Sequence, residues 1–233
     1  GVGNHSRILA ALELFCVSLM YAPHPSSALI EAFLRRPFQG AAPEAAEFLF
    51  VGLDANYAPD IESSPVFPHL LEYHENGPAF WCRRGVHHPF LLPSYSGDGR
   101  RYHRTFAKIG FNLEHADRVS FIEILHLPTV GRNRLERSDL NAQHVQRLRS
   151  AIFAGDARHT FVSAGVLKLM RATGAFPELN ADHATAGTAL RVLCKQSGRT
   201  VYQHLHFSNY GKFEAQLQAE AAAIASLFQS RAA

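Results

Sequence analysis

Cysteine is scarce in this chain, and the cysteines present are not paired locally. Cys16, Cys82 and Cys194 are far apart, odd in number and include no CxxC pair. That excludes a zinc ribbon, a cysteine-ligated iron–sulfur cluster and a disulfide framework, and it fits reduced thiols in a cytoplasmic protein. No apolar run reaches the roughly 18–20 residues that span a bilayer, so no membrane partner is expected. The segment "ILAALELFCVSLMY" carries Glu13 and lacks a basic leader and a small-residue cleavage site. It reads as a packed helix rather than a signal peptide. There is no HExxH and no Asp/His set at metal-ligand spacing, so no metal or other cofactor is expected despite 14 histidines. Repeats and low-complexity segments are missing too. Neither sign of charge dominates. A net charge of +3 permits a nucleic-acid partner without demanding one.

What is present is an ordinary globular balance, 47% hydrophobic and 18% charged over 233 residues, enough for a core in a single domain spanning residues 1–233. Ile8, Leu12, Phe15 and Leu19 predict a helix over 6–20. A second helix is predicted over 26–36, capped by Ser26 or Ser27 and stopped before Pro37. Residues 48–51 are a strand candidate. Between 58 and about 104, prolines, glycines and serines predict long loops with short helical pieces, a length that usually carries function. "RVSFIEILHL" (118–127) is the next strand. A helix capped by Ser138 follows, with Leu140, Val145, Leu148 and Ile152 on one face. "HTFVSAG" (159–165) is a strand, "VLKLMRATG" a helix closed by Gly174, and two strand-like runs flank Gly198. A last helix over 212–229 places Phe213, Leu217, Ile224 and Phe228 together. Strands alternating with helices predict an α/β fold: a three-layer α/β/α sandwich around a central, mainly parallel four-stranded sheet.

In such sheets ligands bind at the carboxyl ends of the strands. That rule selects residues 52–57, 123–134 and 204–210. In "EFLFVGLDANY", Gly52 permits a tight turn and Asp54 stands past the strand end, as a loop cap or as a reactive carboxylate. In "EILHLPTVGRNR", Glu123 lies in an apolar run where an ionised carboxylate is costly without a partner. It faces either solvent or a site. His126 lies nearby, and Arg132 and Arg134 follow. In "YQHLHFSNYGKF", His204 and His206 share a face if the strand continues. Ser208 and Asn209 then sit where a helix cap would. Arg83, Arg84, Arg100, Arg101, Arg104 and Lys108, interleaved with Trp81, Phe90, Tyr95 and Tyr102, supply the charge and ring platforms that a nucleic-acid groove uses.

These three motifs, in this order and at these separations, resemble the uracil-DNA glycosylase superfamily over roughly residues 47–213. "FVGLDANY" resembles its first motif, "VSFIEILHLPTVGRNR" its middle strand, and "HFSNYGKF" its final "HPS" motif and the intercalation loop beyond it. The resemblance implies a monomeric, monofunctional glycosylase acting on DNA that contains uracil. It implies that Asp54 positions water and stabilises the sugar cation, and that His206 hydrogen-bonds the base carbonyl. It places Gly52 and Leu53 at the base, Tyr57 or alternatively Asn56 where thymine is excluded, and Phe90 or alternatively Phe80 where the base stacks. Arg132, Arg134, Ser208, Asn209, Tyr210 and Lys212 fall where DNA is contacted. Two positions depart from the pattern: Phe207 replaces the proline of "HPS", and Glu123 stands where the family has a base-reading asparagine. A carboxyl accepts from N3–H but donates to O4 only when protonated, the form that burial favours. Glu123 therefore keeps hypoxanthine or xanthine open as the base. A non-catalytic binder of damaged or single-stranded DNA and a metal-dependent hydrolase are the readings from other classes.

Overall fold

The computed structural model describes residues 21–180 and 189–229; the helix expected over 6–20 lies outside them. In chain order the elements are β1 (Ala22–Pro23), α1 (Ser27–Arg35), β2 (Gln39–Gly40), β3 (Phe48–Gly52), α2 (Phe67–Glu75), α3 (Gly77–Arg84), α4 (Arg100–Ala107), β4 (Val119–Glu123), β5 (Thr129–Val130), α5 (Ala142–Phe153), β6 (His159–Val162), α6 (Ala164–Thr173), β7 (Arg191–Gln196), β8 (Arg199–Gln203) and α7 (Glu214–Gln229). Short 3₁₀ turns fill several of the connections.

The main sheet has six strands in the order β2-β4-β3-β6-β8-β7. This corrects the four-stranded expectation. β4, β3, β6 and β8 are mutually parallel, and β2 and β7 add antiparallel edges. β2 is only two residues long and leaves no periodic pattern to read. β7 and β8 form a hairpin through Gly198 at φ +74°. The chain steps from β3 to β4 on one side and then crosses to β6 on the other. The carboxyl end of β3 is therefore the switch point where such sheets open a crevice.

Side chains alternate across the sheet with period two. Leu49, Val51, Ile122, Val162 and Val201 pack with α5 and α6 through Leu148, Ile152, Val166 and Met170. Phe48, Phe50, Phe121 and Phe161 pack on the opposite side with Trp81 of α3, Phe106 of α4 and Ile224 and Phe228 of α7. One row of this aromatic side runs in register across all four parallel strands: Phe121, Phe50, Phe161 and Tyr202. Their rings are near-parallel, with Phe50 and Phe161 centroids 4.7 Å apart at 16° and Phe161 and Tyr202 5.2 Å apart at 15°. Phe50 and Phe121 complete the row at 5.6 Å and 26°.

Several boundaries differ from expectation for local reasons. Residues 58–104 hold three helices, because Pro68 and Pro78 sit in first turns, where proline costs no hydrogen bond. Asn141, not Ser138, caps α5, accepting from His144 N–H at 2.9 Å; residues 137–139 are taken up by a 3₁₀ turn. β4 ends at Glu123 rather than 127, although Ile124 and Leu125 still donate to the Gly52 and Leu53 carbonyls. β6 stops at Val162, and α6 begins at once at Ala164. Phe213 belongs to a 3₁₀ turn before α7 and is partly exposed, off the buried face of Leu217, Ile224 and Phe228. α1 begins as expected, with the Ser26 hydroxyl accepting from Leu29 N–H. No helix among the described residues is long and apolar enough to cross a membrane.

The aromatic row predicts a large cost for removing its centre. Phe50→Ala should lower the unfolding free energy by about 3–5 kcal/mol, measured by urea denaturation. A loss below about 1 kcal/mol would show that the row does not hold the sheet together.

Candidate active site

Two residues beyond the aromatic row, the same side of the sheet carries Glu123 on β4 and Gly52 on β3, paired in parallel register. Gly52 was expected to serve a tight turn. Its role is steric: a Cβ built there would lie 1.8 Å from Glu123 Oε2 and 2.7 Å from its Cδ. The Glu123 carboxyl occupies the space a side chain at 52 would fill. It opens into a cavity of about 310 Å³ lined by Gln39, residues 52–57, His88, Phe90, Gly99, Tyr102, His103, Phe121, Glu123 and His206. Gly52, Leu53, Asp54, Asn56, Tyr57, Phe90, Glu123 and His206, eight residues from four stretches of chain, therefore meet in one place.

Asp54 is held by residues that sequence reasoning did not single out. Its Oδ2 accepts from the Thr129 hydroxyl at 2.5 Å and from Asn133 Nδ2 at 3.0 Å. Oδ1 has no hydrogen-bond partner among the described residues. Asn56 donates to Thr129 Oγ1 at 3.0 Å and to Gly131 O at 2.7 Å, so its amide ties the 129–133 loop to the Asp54 segment. Tyr57 N–H donates to Thr129 O at 3.1 Å, and its buried hydroxyl accepts from Gln39 Nε2 at 2.9 Å.

Glu123 has the opposite environment. Neither carboxyl oxygen has a hydrogen-bond partner among the described residues, and the walls around it are largely aromatic. Burial, and then the Asp54 carboxylate, push its pKa up to about 8. At neutral pH the group is mostly the carboxylic acid, both donor and acceptor. Its main chain is fixed from behind by α5, where His144 Nε2 donates to Glu123 O at 2.7 Å.

The histidines are polar but uncharged walls. The Ser208 N–H donates to His206 Nδ1 at 3.2 Å, and the Ser208 hydroxyl lies 2.6 Å from the same atom. This pattern assigns the ring proton to Nε2. Burial lowers the His206 pKa, against an upward pull from Asp54. Phe90 N–H donates to His88 Nδ1 at 3.1 Å, which likewise leaves the proton on Nε2. The His88 ring stacks on His103 at 3.6 Å and 8°. Burial holds both well below the usual histidine range. His204 does not line this cavity with His206, although both line the neighbouring one: β8 ends at Gln203, and His204 packs against Phe207 at 4.7 Å, pushed down to about 4 by burial.

Phe90 lines the cavity with its ring stacked on Tyr95 at 3.9 Å and 8°. Phe80, the alternative platform, is fully buried against Tyr73 and does not line it. Arg132 and Arg134 are exposed on either side of the inward-turned Asn133. Asn209 donates its amide to His206 O at 2.9 Å and lines a neighbouring cavity of about 690 Å³. Tyr210 is 66% exposed, with the Arg101 guanidinium 4.3 Å over its ring; Ser208 and Lys212 are exposed beside it. Among the described residues no group of three His, Cys, Asp or Glu is arranged to hold a metal ion. Gln39, His88, Tyr102 and His103 are cavity residues outside the stretches that the strand-end rule selects, and Thr129 and Asn133 are support residues inside one of them that it does not single out. Thr129 and Asn133 lie inside the quoted "LPTVGRN", but only the fold shows that they turn back toward β3.

The raised Glu123 pKa has a consequence for stability. Folding takes up a proton between the ordinary value of 4.5 and about 8, so this group opposes folding increasingly as pH rises through that window and constantly above it. The cost is of order 1 kcal/mol per pH unit. Glu123→Gln should raise the melting temperature more at pH 9 than at pH 5, by calorimetry; equal shifts would contradict the buried acid. No family model matches the chain and no curated protein matches it, so the function is argued from these residues.

Proposed function

We propose that the protein is a monofunctional DNA glycosylase that hydrolyses the N-glycosidic bond of uracil flipped out of DNA, initiating base excision repair. The observation that carries this reading is the convergence of Asp54, Glu123, Phe90 and His206 on one cavity at the switch point of the sheet. A base within a duplex is inaccessible, so the nucleotide must leave the stack and enter a pocket. Phe90, stiffened by Tyr95, offers the base a ring. Bond cleavage builds positive charge on the sugar and negative charge on the base. Asp54, oriented through Oδ2 by Thr129 and Asn133, keeps Oδ1 for a water and lies near the cationic sugar. His206 supplies a neutral Nε2–H donor to the base carbonyl. Glu123, as the acid, both accepts from N3–H and donates to O4, the pattern an amide would present.

Outside the cavity, Arg132, Arg134 and Lys212 serve phosphates and Tyr210 the gap in the strand. The protein acts as a monomer in the cytoplasm. Free thiols at exposed Cys82 and buried Cys194 support that compartment. The same acid at 123 favours one second reading, release of a deaminated purine such as hypoxanthine or xanthine.

Asp54→Asn and His206→Ala should each lower uracil release from a labelled oligonucleotide at least ~100-fold with thermal unfolding preserved and EDTA present. Full activity in both would refute the assignment. Parallel substrates carrying hypoxanthine and xanthine decide the base. Arg132→Ala and Arg134→Ala should weaken DNA binding whatever the sequence and flatten its salt dependence, by ~0.9 in log–log slope per lost phosphate contact. An unchanged slope, read by fluorescence anisotropy, would remove these arginines from the interface.

A further inference from the structure

The cavity holds two carboxyl groups in contrasting surroundings. Asp54 accepts two side-chain hydrogen bonds. Glu123 accepts none and lies against the bare backbone of Gly52. The titratable groups facing Glu123 are Asp54 and Tyr57 from the segment after β3, Tyr73 from α2 and His88 from the turn before Phe90. Tyr102 and His103 from α4 and His206 from beyond β8 complete them. No lysine or arginine lines the cavity. Among the described residues no group donates a hydrogen bond to the Glu123 carboxyl and none accepts one from its O–H. A base bound in the cavity would meet that O–H directly.

We propose that Glu123 is the general acid of the reaction, delivering its carboxylic proton to a carbonyl oxygen of the departing base while Asp54 serves the attacking water. The inference rests on the glycosylase reading and adds to it a leaving group that departs neutral. The C1′–N bond breaks with its electron pair remaining on the base. The Glu123 proton passes to the base's carbonyl oxygen, giving a neutral hydroxy tautomer. Water adds to C1′, and Asp54 accepts the proton it releases. Solvent then returns a proton to Glu123 and removes one from Asp54, so the cycle balances with no further reactant. Paired carboxyl groups whose surroundings favour opposite protonation states are the usual arrangement for acid and base in one site. The raised Glu123 pKa is consistent with the same assignment.

The test is Glu123→Gln, which keeps a donor and an acceptor of nearly the same shape but has no transferable proton. Single-turnover release of uracil should fall by ~10²–10⁴-fold, while affinity for uracil-containing DNA stays within about threefold. The loss should be smaller for 5-fluorouracil, whose anion leaves more readily. In the unmodified protein, uracil release should decline above about pH 8, and less steeply for 5-fluorouracil. This second measurement stands even if the variant folds poorly. If the variant releases uracil within about fivefold of the unmodified rate, or the unmodified rate is flat to pH 10, the general-acid role is overturned and Glu123 only reads the base. If the unmodified protein releases no base from uracil, hypoxanthine or xanthine substrates, the glycosylase reading itself fails. The two failures are thus distinct.

Discussion

The in-register row of Phe121, Phe50, Phe161 and Tyr202 is the constraint on which the rest depends. It locks four parallel strands at one level. Because side chains alternate with period two, whatever lies two residues further along each strand must emerge on the same side. On β4 that is Glu123 and on β3 it is Gly52. A slip of one residue would turn Glu123 into the aliphatic layer of α5 and α6 and remove it from the cavity. The stacked rings thus do two things: they bury area between the sheet and α3, α4 and α7, and they set the register that builds the site.

Parallel register also explains why the cavity is lined so unevenly. Tyr102 extends the aromatic layer past the strand ends, and Phe90 and Tyr57 come from a second cluster beside it, so the cavity gains ring walls from both. The 129–133 loop does not line the cavity but supports Asp54 from behind with polar groups. Thr129 and Asn133 reach Asp54, and Asn56 fastens the loop in return. One carboxyl accepts from two side-chain donors and the other accepts from none among the described residues, although the first lies just past the end of β3 and the second ends the adjacent β4. The contrast is a product of the layers rather than of local sequence.

Much of the fold was legible from periodicity. β3, β6, α1, α6 and the β7–β8 hairpin fall close to where alternation, caps and glycines predict them. The proline-rich stretch does hold the short helical pieces expected of it, but Pro68 and Pro78 lie in the first turns of two of them, so that helix takes more of the stretch than its composition suggests. The two-residue strand β2 carries too little pattern to see. At the site, Asp54, Glu123 and His206 were legible as candidates because each lies at or just past the carboxyl end of a strand. Gly52 was legible as a glycine but not in its purpose. That purpose depends on which strand lies beside β3 and at what register, a tertiary fact absent from "FLFVGLD" alone. Thr129 and Asn133 were hidden for the same reason, as was the stacking of His88 on His103.

Gly52 and Glu123 also explain each other. An alanine at 52 would overlap the carboxyl, and a larger residue would displace it toward solvent, where its ionised form is hydrated and its proton is lost at neutral pH. The glycine does more than make room. It places the half-buried carboxyl against backbone at the cavity wall, a setting in which desolvation favours the protonated form. The carboxyl at 123 is therefore matched by a glycine at 52 that leaves it room. A lone glutamate substituted onto a strand end facing water would stay ionised and repel Asp54. Here, with both its neighbour across the ladder and the aromatic wall in place, the acid can share a cavity with Asp54 without a second charge.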